Sequence, residues 1–114
     1  MGVRAHEISL TDDADAALRG LEASADPRAR SVARKARALR ATLLADALHG
    51  EVVKRPLPKT LVKKHGVDNL YVEDLPDFWR LLYTLVRVGV ERHVVVVEIV
   101  DHPTYDKWFG GKAK

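Results

Sequence analysis

The 114 residues, 46% hydrophobic and 31% charged, suit a single globular domain with a real core. No apolar run approaches the roughly 18 residues of a membrane span, the opening MGVRAHEISLTDD lacks the apolar stretch of a secretory signal, and the absence of cysteine excludes disulfide frameworks and thiolate metal sites, so a cytoplasmic protein without membrane association is expected. The net charge of +3 hides an asymmetry: residues 1–26 carry six acids and two bases, whereas residues 28–64 carry eleven bases and two acids, a balance that suits a polyanion or an acidic partner protein, or simply a solvated helix face and a basic loop.

Residues 3–10, VRAHEISL, are partly alternating, with His6, Ile8 and Leu10 on one side, and predict an edge or outer strand. Thr11 offers an N-cap, and Asp12, Asp13 and Asp15 sit where a helix dipole favours negative charge. With Ala14, Ala17, Leu18 and Leu21 at helical spacing, this predicts a helix over 12–23. Asp26-Pro27 is a second start signal. Val32, Ala36, Leu39, Leu43 and Ala47 form an apolar stripe, so a second helix is expected over 27–49, ended by a left-handed Gly50 and carrying six cations on its outer faces. The short link between the two helices predicts an antiparallel hairpin.

Residues 51–68 are less regular. Pro56 and Pro58 keep RPLPK extended or turned, and Lys59–His65 is suited to a helical turn before Gly66. A strand over 69–75 would place Leu70, Val72 and Asp74 on one face and Tyr71, Glu73 and Leu75 on the other. Pro76-Asp77 signals a turn. Residues 78–88 form a long predicted strand, 89–91 a loop, and 92–100 a valine-rich strand covered on both faces. Residues 110–114 are expected to form a disordered tail. The expectation is an α+β domain of order β-α-α-β-β-β, in which an antiparallel sheet packs against an N-terminal helical hairpin.

An apolar strand has no structural need for a guanidinium, yet Arg80 lies inside FWRLLYTL. Strand alternation puts Phe78, Arg80, Leu82 and Thr84 on one face. With a three-residue hairpin loop, Arg80 would face Val100 and Leu82 would face Glu98. His102 would then extend the same face. Arg80 could pair with Glu98 and do nothing else, or Glu98 could orient it toward a phosphate, whose charge its planar fork binds bidentately. His102, with Tyr105 three residues on, is a candidate acid or base. Tyr105 is equally suited to anchor its ring on the sheet. Trp108 and Phe109 suit packing of the C-terminal segment. The five histidines, His6, His49, His65, His93 and His102, show no paired metal-ligand spacing, which argues against a metal or other cofactor.

These features, with the C-terminal HPTYDKWF, resemble the RelE/ParE toxin superfamily. Its pattern of a small aromatic or glycine, then arginine, two apolar residues and tyrosine is matched by Trp79-Arg80-Leu81-Leu82-Tyr83. The resemblance implies a RelE-like toxin of a type II toxin-antitoxin pair: a metal-independent, ribosome-associated mRNA endonuclease in which the ribose 2′-hydroxyl attacks the adjacent phosphate. Arg80 would stabilise that phosphate, and His102 and Tyr105 would supply an acid, a base or base-stacking. Basic residues, notably Lys54, Arg55, Lys59, Lys63 and Lys64, would hold RNA. The partners implied are a cognate antitoxin, the ribosome and mRNA. Two family lysines are replaced by Tyr71 and Glu73, and the ParE-like branch, which acts on DNA gyrase without ribonuclease activity, shares the fold.

Overall fold

The structure, a computed structural model, describes residues 2–110. Strand β1 (Glu7–Leu10) leads into helix α1 (Asp12–Ala23), whose cap is Thr11: its hydroxyl oxygen accepts the Ala14 N–H at 3.1 Å. Helix α2 (Pro27–Ala45) starts where Asp26 accepts the Arg28 N–H at 2.9 Å. It ends at Ala45, four residues before the expected 49. Asp46 is extended, and its carboxylate accepts the N–H groups of Val3 and Leu48, both at 3.0 Å. Those two bonds hold its pKa below the ordinary aspartate value and stop the helix early. Gly50 is therefore not a left-handed cap.

Strand β2 (Glu51–Val52), helix α3 (Lys59–His65), strand β3 (Tyr71–Asp74), strand β4 (Arg80–Val88), strand β5 (Glu91–Val100) and helix α4 (His102–Phe109) complete the chain. The observed order thus differs from the expected one by the addition of β2, α3 and α4. The sheet runs β1-β5-β4-β3-β2, and β1 lies parallel to β5, so it is mixed rather than antiparallel. The helices and three strands between β1 and β5 supply the long crossover that a parallel pair requires.

The residue after β5 departs from expectation. Asp101 caps α4, accepting the Thr104 N–H at 3.1 Å, and Pro103 occupies the first turn, so His102 begins a helix instead of prolonging the strand face. Gly110, expected to open a disordered tail, ends α4 in the left-handed conformation (φ 69°), and residues 111–114 lie outside the described residues.

The hairpin loop between β4 and β5 is two residues, Gly89 and Val90, not three. The expected pairs Arg80–Val100 and Leu82–Glu98 nevertheless form, because a β-bulge between Leu82 and Tyr83 restores the register: Tyr83 faces Val96, leaving Val97 as the extra residue on β5. Thr11 satisfies the carbonyls there. Its N–H donates to Val96 O at 3.0 Å and its hydroxyl to Val97 O at 2.7 Å.

Two apolar clusters cover the sheet. Leu81, Tyr83, Val94, Val96 and Ile99 pack against α1 and α2, while Leu82 and Val97 face Leu61 of α3 and Phe109 of α4. Tyr83 is fully buried: its hydroxyl donates to Ala47 O at 2.8 Å and accepts the Gly50 N–H at 2.9 Å. It stacks on Tyr71 at 5.2 Å between ring centres. Burial pushes its pKa up to about 12.

Tyr83→Phe should cost about 1–3 kcal/mol in denaturant unfolding at neutral pH, since it orphans two backbone groups. The folded state holds the phenol proton more tightly than the unfolded chain, so wild-type stability falls as pH rises from 10 towards 12. The gap between wild type and Tyr83→Phe should therefore narrow over that window. Gly50→Ala should destabilise by about 1–3 kcal/mol, because a β-carbon there would lie 2.9 Å from the Tyr83 ring and hydroxyl and 3.0 Å from Val72 O.

Candidate functional site

Arg80 opens β4, opposite Asp74 at the end of β3 and Val100 at the end of β5. It therefore stands where three strands stop, on the sheet face that α3 and α4 cover. Its Nε lies 3.1 Å from Asp74, its Nη1 donates to its neighbour Trp79 O at 3.2 Å, and its guanidinium carbon is 5.1 Å from the centre of the Tyr105 ring. The side chain is 20% exposed, whereas that of Asp74 is 86% exposed. An ion pair with so wet a partner is weak and easily exchanged for another anion.

Glu98 does not brace Arg80. It is buried, 2.8 Å from His65 Nε2 and 3.5 Å from Lys64 Nζ, and Lys64 also lies 2.9 Å from Asp13. The Asp13 carboxylate holds the Lys64 pKa above the ordinary lysine value. Asp13, His65 and Glu98 bring three ligand-type atoms within 4.8 Å of one another. The Lys64 ammonium lies against both carboxylates, so the chain's own cation offsets part of the cluster's negative charge. Lys64, expected at an RNA surface, thus serves as a tie between α1, α3 and β5.

Helix α4 carries the other site residues one turn apart. Tyr105 and Phe109, four residues apart, have ring centres 4.5 Å apart, and the Arg55 guanidinium carbon lies 5.3 Å from the Phe109 centre. The result is a row: Arg80, Tyr105, Phe109, Arg55. Tyr105 also lines an open groove of about 390 Å³ with residues 51–55 and Val72, which places Lys54 and Arg55 on its wall. Lys59 and Lys63 are exposed on α3. Phe109, expected only to pack, both packs and carries a cation on its face.

His102 Nε2 lies 3.0 Å from Asp106, one helical turn on, an arrangement that orients the imidazole. Its ring centre is 5.9 Å from that of Phe78. Asp77 and Phe78 both have positive φ (60° and 64°) at the centre of a turn closed by the Trp79 N–H donating to Pro76 O at 3.3 Å. Aspartate tolerates that conformation, but for phenylalanine it costs about 1–2 kcal/mol. The turn leaves Phe78 69% exposed. Pro76-Asp77 did signal the turn in the sequence, but nothing in the sequence marked Phe78 as an outward aromatic.

Tyr71 and Glu73 face away from this site. Tyr71 stacks on Tyr83, and Glu73 is buried 2.6 Å from His49 Nδ1. The basic stretch is divided by the sheet. The α2 cations lie on the far side, where Arg37 is paired with Glu22 at 2.6 Å and Arg28 with Asp26 at 3.6 Å, and only Arg34 and Lys35 lack any recorded bond among the described residues.

Chemically, the site offers two guanidinium groups bracketing a pair of rings in contact and tilted by 30°, an oriented imidazole, and an exposed aromatic at the mouth. Guanidinium groups bind phosphate, rings stack on bases, and an imidazole moves protons near neutrality. Compared with family models, with curated proteins and with solved structures, the chain has no significant match.

Proposed function

We propose that the chain is a RelE-like toxin of a type II toxin-antitoxin pair, acting as a metal-independent endoribonuclease on ribosome-associated mRNA. The observation that carries this reading is the Arg80–Tyr105–Phe109–Arg55 row beside the Lys54-Arg55 groove: two guanidinium groups flank a pair of rings along one face, and single-stranded nucleic acid is bound by such combinations of positive charge and aromatic surface. An RNA phosphate displaces the exposed Asp74 carboxylate from Arg80. The guanidinium then stabilises the charge that develops as the ribose 2′-hydroxyl attacks. As the bond from the 2′-oxygen to phosphorus forms, the P–O5′ bond breaks, leaving a 2′,3′-cyclic phosphate; His102, oriented by Asp106, takes the 2′-hydroxyl proton or protonates the departing 5′-oxygen, and Tyr105 stacks or donates a hydrogen bond.

A second reading is favoured by one specific observation. Tyr71 and Glu73, which stand where catalytic family members carry lysines, are committed to ring stacking and to a hydrogen bond with His49 on the opposite face. With no lysine at those positions, the same surface would serve a non-catalytic RelE/ParE-fold protein that binds RNA or a protein target such as gyrase.

Arg80→Ala should lower mRNA cleavage at least about a hundredfold and relieve growth inhibition, while changing stability by less than about 1 kcal/mol, since its one ion-pair partner, Asp74, is exposed. Cleavage mapping on ribosome-bound mRNA checks the first part and thermal melting the second. Undiminished cleavage would remove Arg80 from the mechanism; cleavage absent even from the wild type would favour the binding protein. Among the basic residues, Lys54→Ala and Arg55→Ala should each weaken RNA binding and flatten its salt dependence. Lys64→Ala should leave binding unchanged and instead lower stability by about 0.5–1 kcal/mol.

A further inference from the structure

Phe78 is not explained by packing. It is the most exposed phenylalanine of the chain, at 69%, whereas Phe109 is buried at 9%. Its backbone is left-handed, as is that of Asp77 before it, and a glycine would sit there without strain. Retaining a large aromatic at such a position works against both backbone preference and solvation, and strain of this kind is characteristic of functional sites. The ring lies against His102, which is one turn of α4 from Tyr105, and Phe78 is two residues from Arg80.

Resting on the nucleic-acid reading above, we propose that Phe78 is a base-stacking platform: a nucleobase adjoining the phosphate held by Arg80 packs on its exposed ring. The chemistry follows from the surroundings. A guanidinium takes the phosphate, and a ring standing proud of the surface beside it takes the neighbouring base of an unpaired strand. His102 supports the ring from behind, and the tight turn keeps it from folding back onto the sheet. The ring makes no hydrogen bond, so the platform reads the presence of a base rather than its identity. An apolar protein partner would use the same ring differently, without reference to a base.

The test is fluorescence anisotropy of the full chain with a single-stranded oligoribonucleotide whose 2′-hydroxyls are methylated to prevent cleavage, and with a series carrying one abasic position. Binding by the wild type should weaken about five- to a hundredfold when the critical base is missing. Phe78→Gly should bind the intact strand that much more weakly and be indifferent to the abasic position. It should also melt about 4 °C higher, because glycine relieves the left-handed strain. Phe78→Trp should restore tight binding. A variant that is both more stable and a poorer binder distinguishes a functional ring from a structural one. Phe78→Gly binding within twofold of a wild type that does bind RNA would overturn this proposal alone. Equal losses on intact and abasic strands would overturn stacking in favour of a different contact. A wild type that binds no single-stranded RNA would overturn the nucleic-acid reading and this proposal together.

Discussion

The β4–β5 ribbon changes register once, and the extra residue, Val97, governs which side chains reach each face of the sheet. Side chains alternate along a strand, so every residue past the bulge is turned over relative to an unbroken ladder. Val95 and Val97 face α3 and α4, and so does Glu98, which meets His65 of α3; Ile99 then returns to the core under the helical hairpin. Without the bulge, Glu98 would point into the apolar cluster beneath α1 and α2, away from His65 and Lys64. Thr11 supports the irregularity by bonding the carbonyls of both Val96 and Val97 while capping α1. One threonine thereby links strand pairing, helix start and the orientation of the last strand before the candidate site.

The site itself is a junction of chain ends. The turn after β3 presents Phe78, the first residue of β4 is Arg80, and β5 ends one residue before α4. The Asp101 cap and Pro103 bend the chain sharply enough for α4 to lie back across the sheet, where Tyr105 meets Arg80 and Phe109 meets Arg55. Side chains separated by up to 54 positions in sequence become neighbours because α4 delivers residues at i, i+3, i+4 and i+7 along one stripe.

The polar groups inside the molecule divide between structural and functional work. The Tyr83 hydroxyl ties the end of α2 to the sheet, Glu73 holds His49, and the Asp13–Lys64–His65–Glu98 cluster pins α3 against α1 and β5. Each of these involves a buried tyrosine or carboxylate with a hydrogen-bond partner, the condition under which burial is tolerated. The site residues differ. Arg80, His102 and Phe78 remain accessible, their partners are exposed or are aromatic faces, and their contacts are ones that a ligand can replace.

Much of this was legible in the sequence. Thr11 and Asp26 marked both helix starts, because a short polar side chain before an apolar stripe has few other uses. The β-branched run 94–97 marked a strand covered on both faces, and Arg80 stood out because a strand core does not accommodate an unpaired charge. Even Asp101-His102-Pro103 held the same cap-and-proline signal that marked α2, although the preceding strand masked it. What local sequence could not settle were the choices that depend on distance. Two of these were the parallel placement of β1 beside β5 and the bulge that compensates for a two-residue loop. Another was the partner of Glu98, which a sheet-only view pairs with Arg80 and the folded chain gives to His65. The row of cations and rings was hidden for the same reason. Alternation and capping are short-range effects of backbone sterics and hydrogen bonding, and the sequence by itself determines them. Which charge meets which ring depends on how separate elements cross, and only the packing of α3 and α4 onto the sheet decided that.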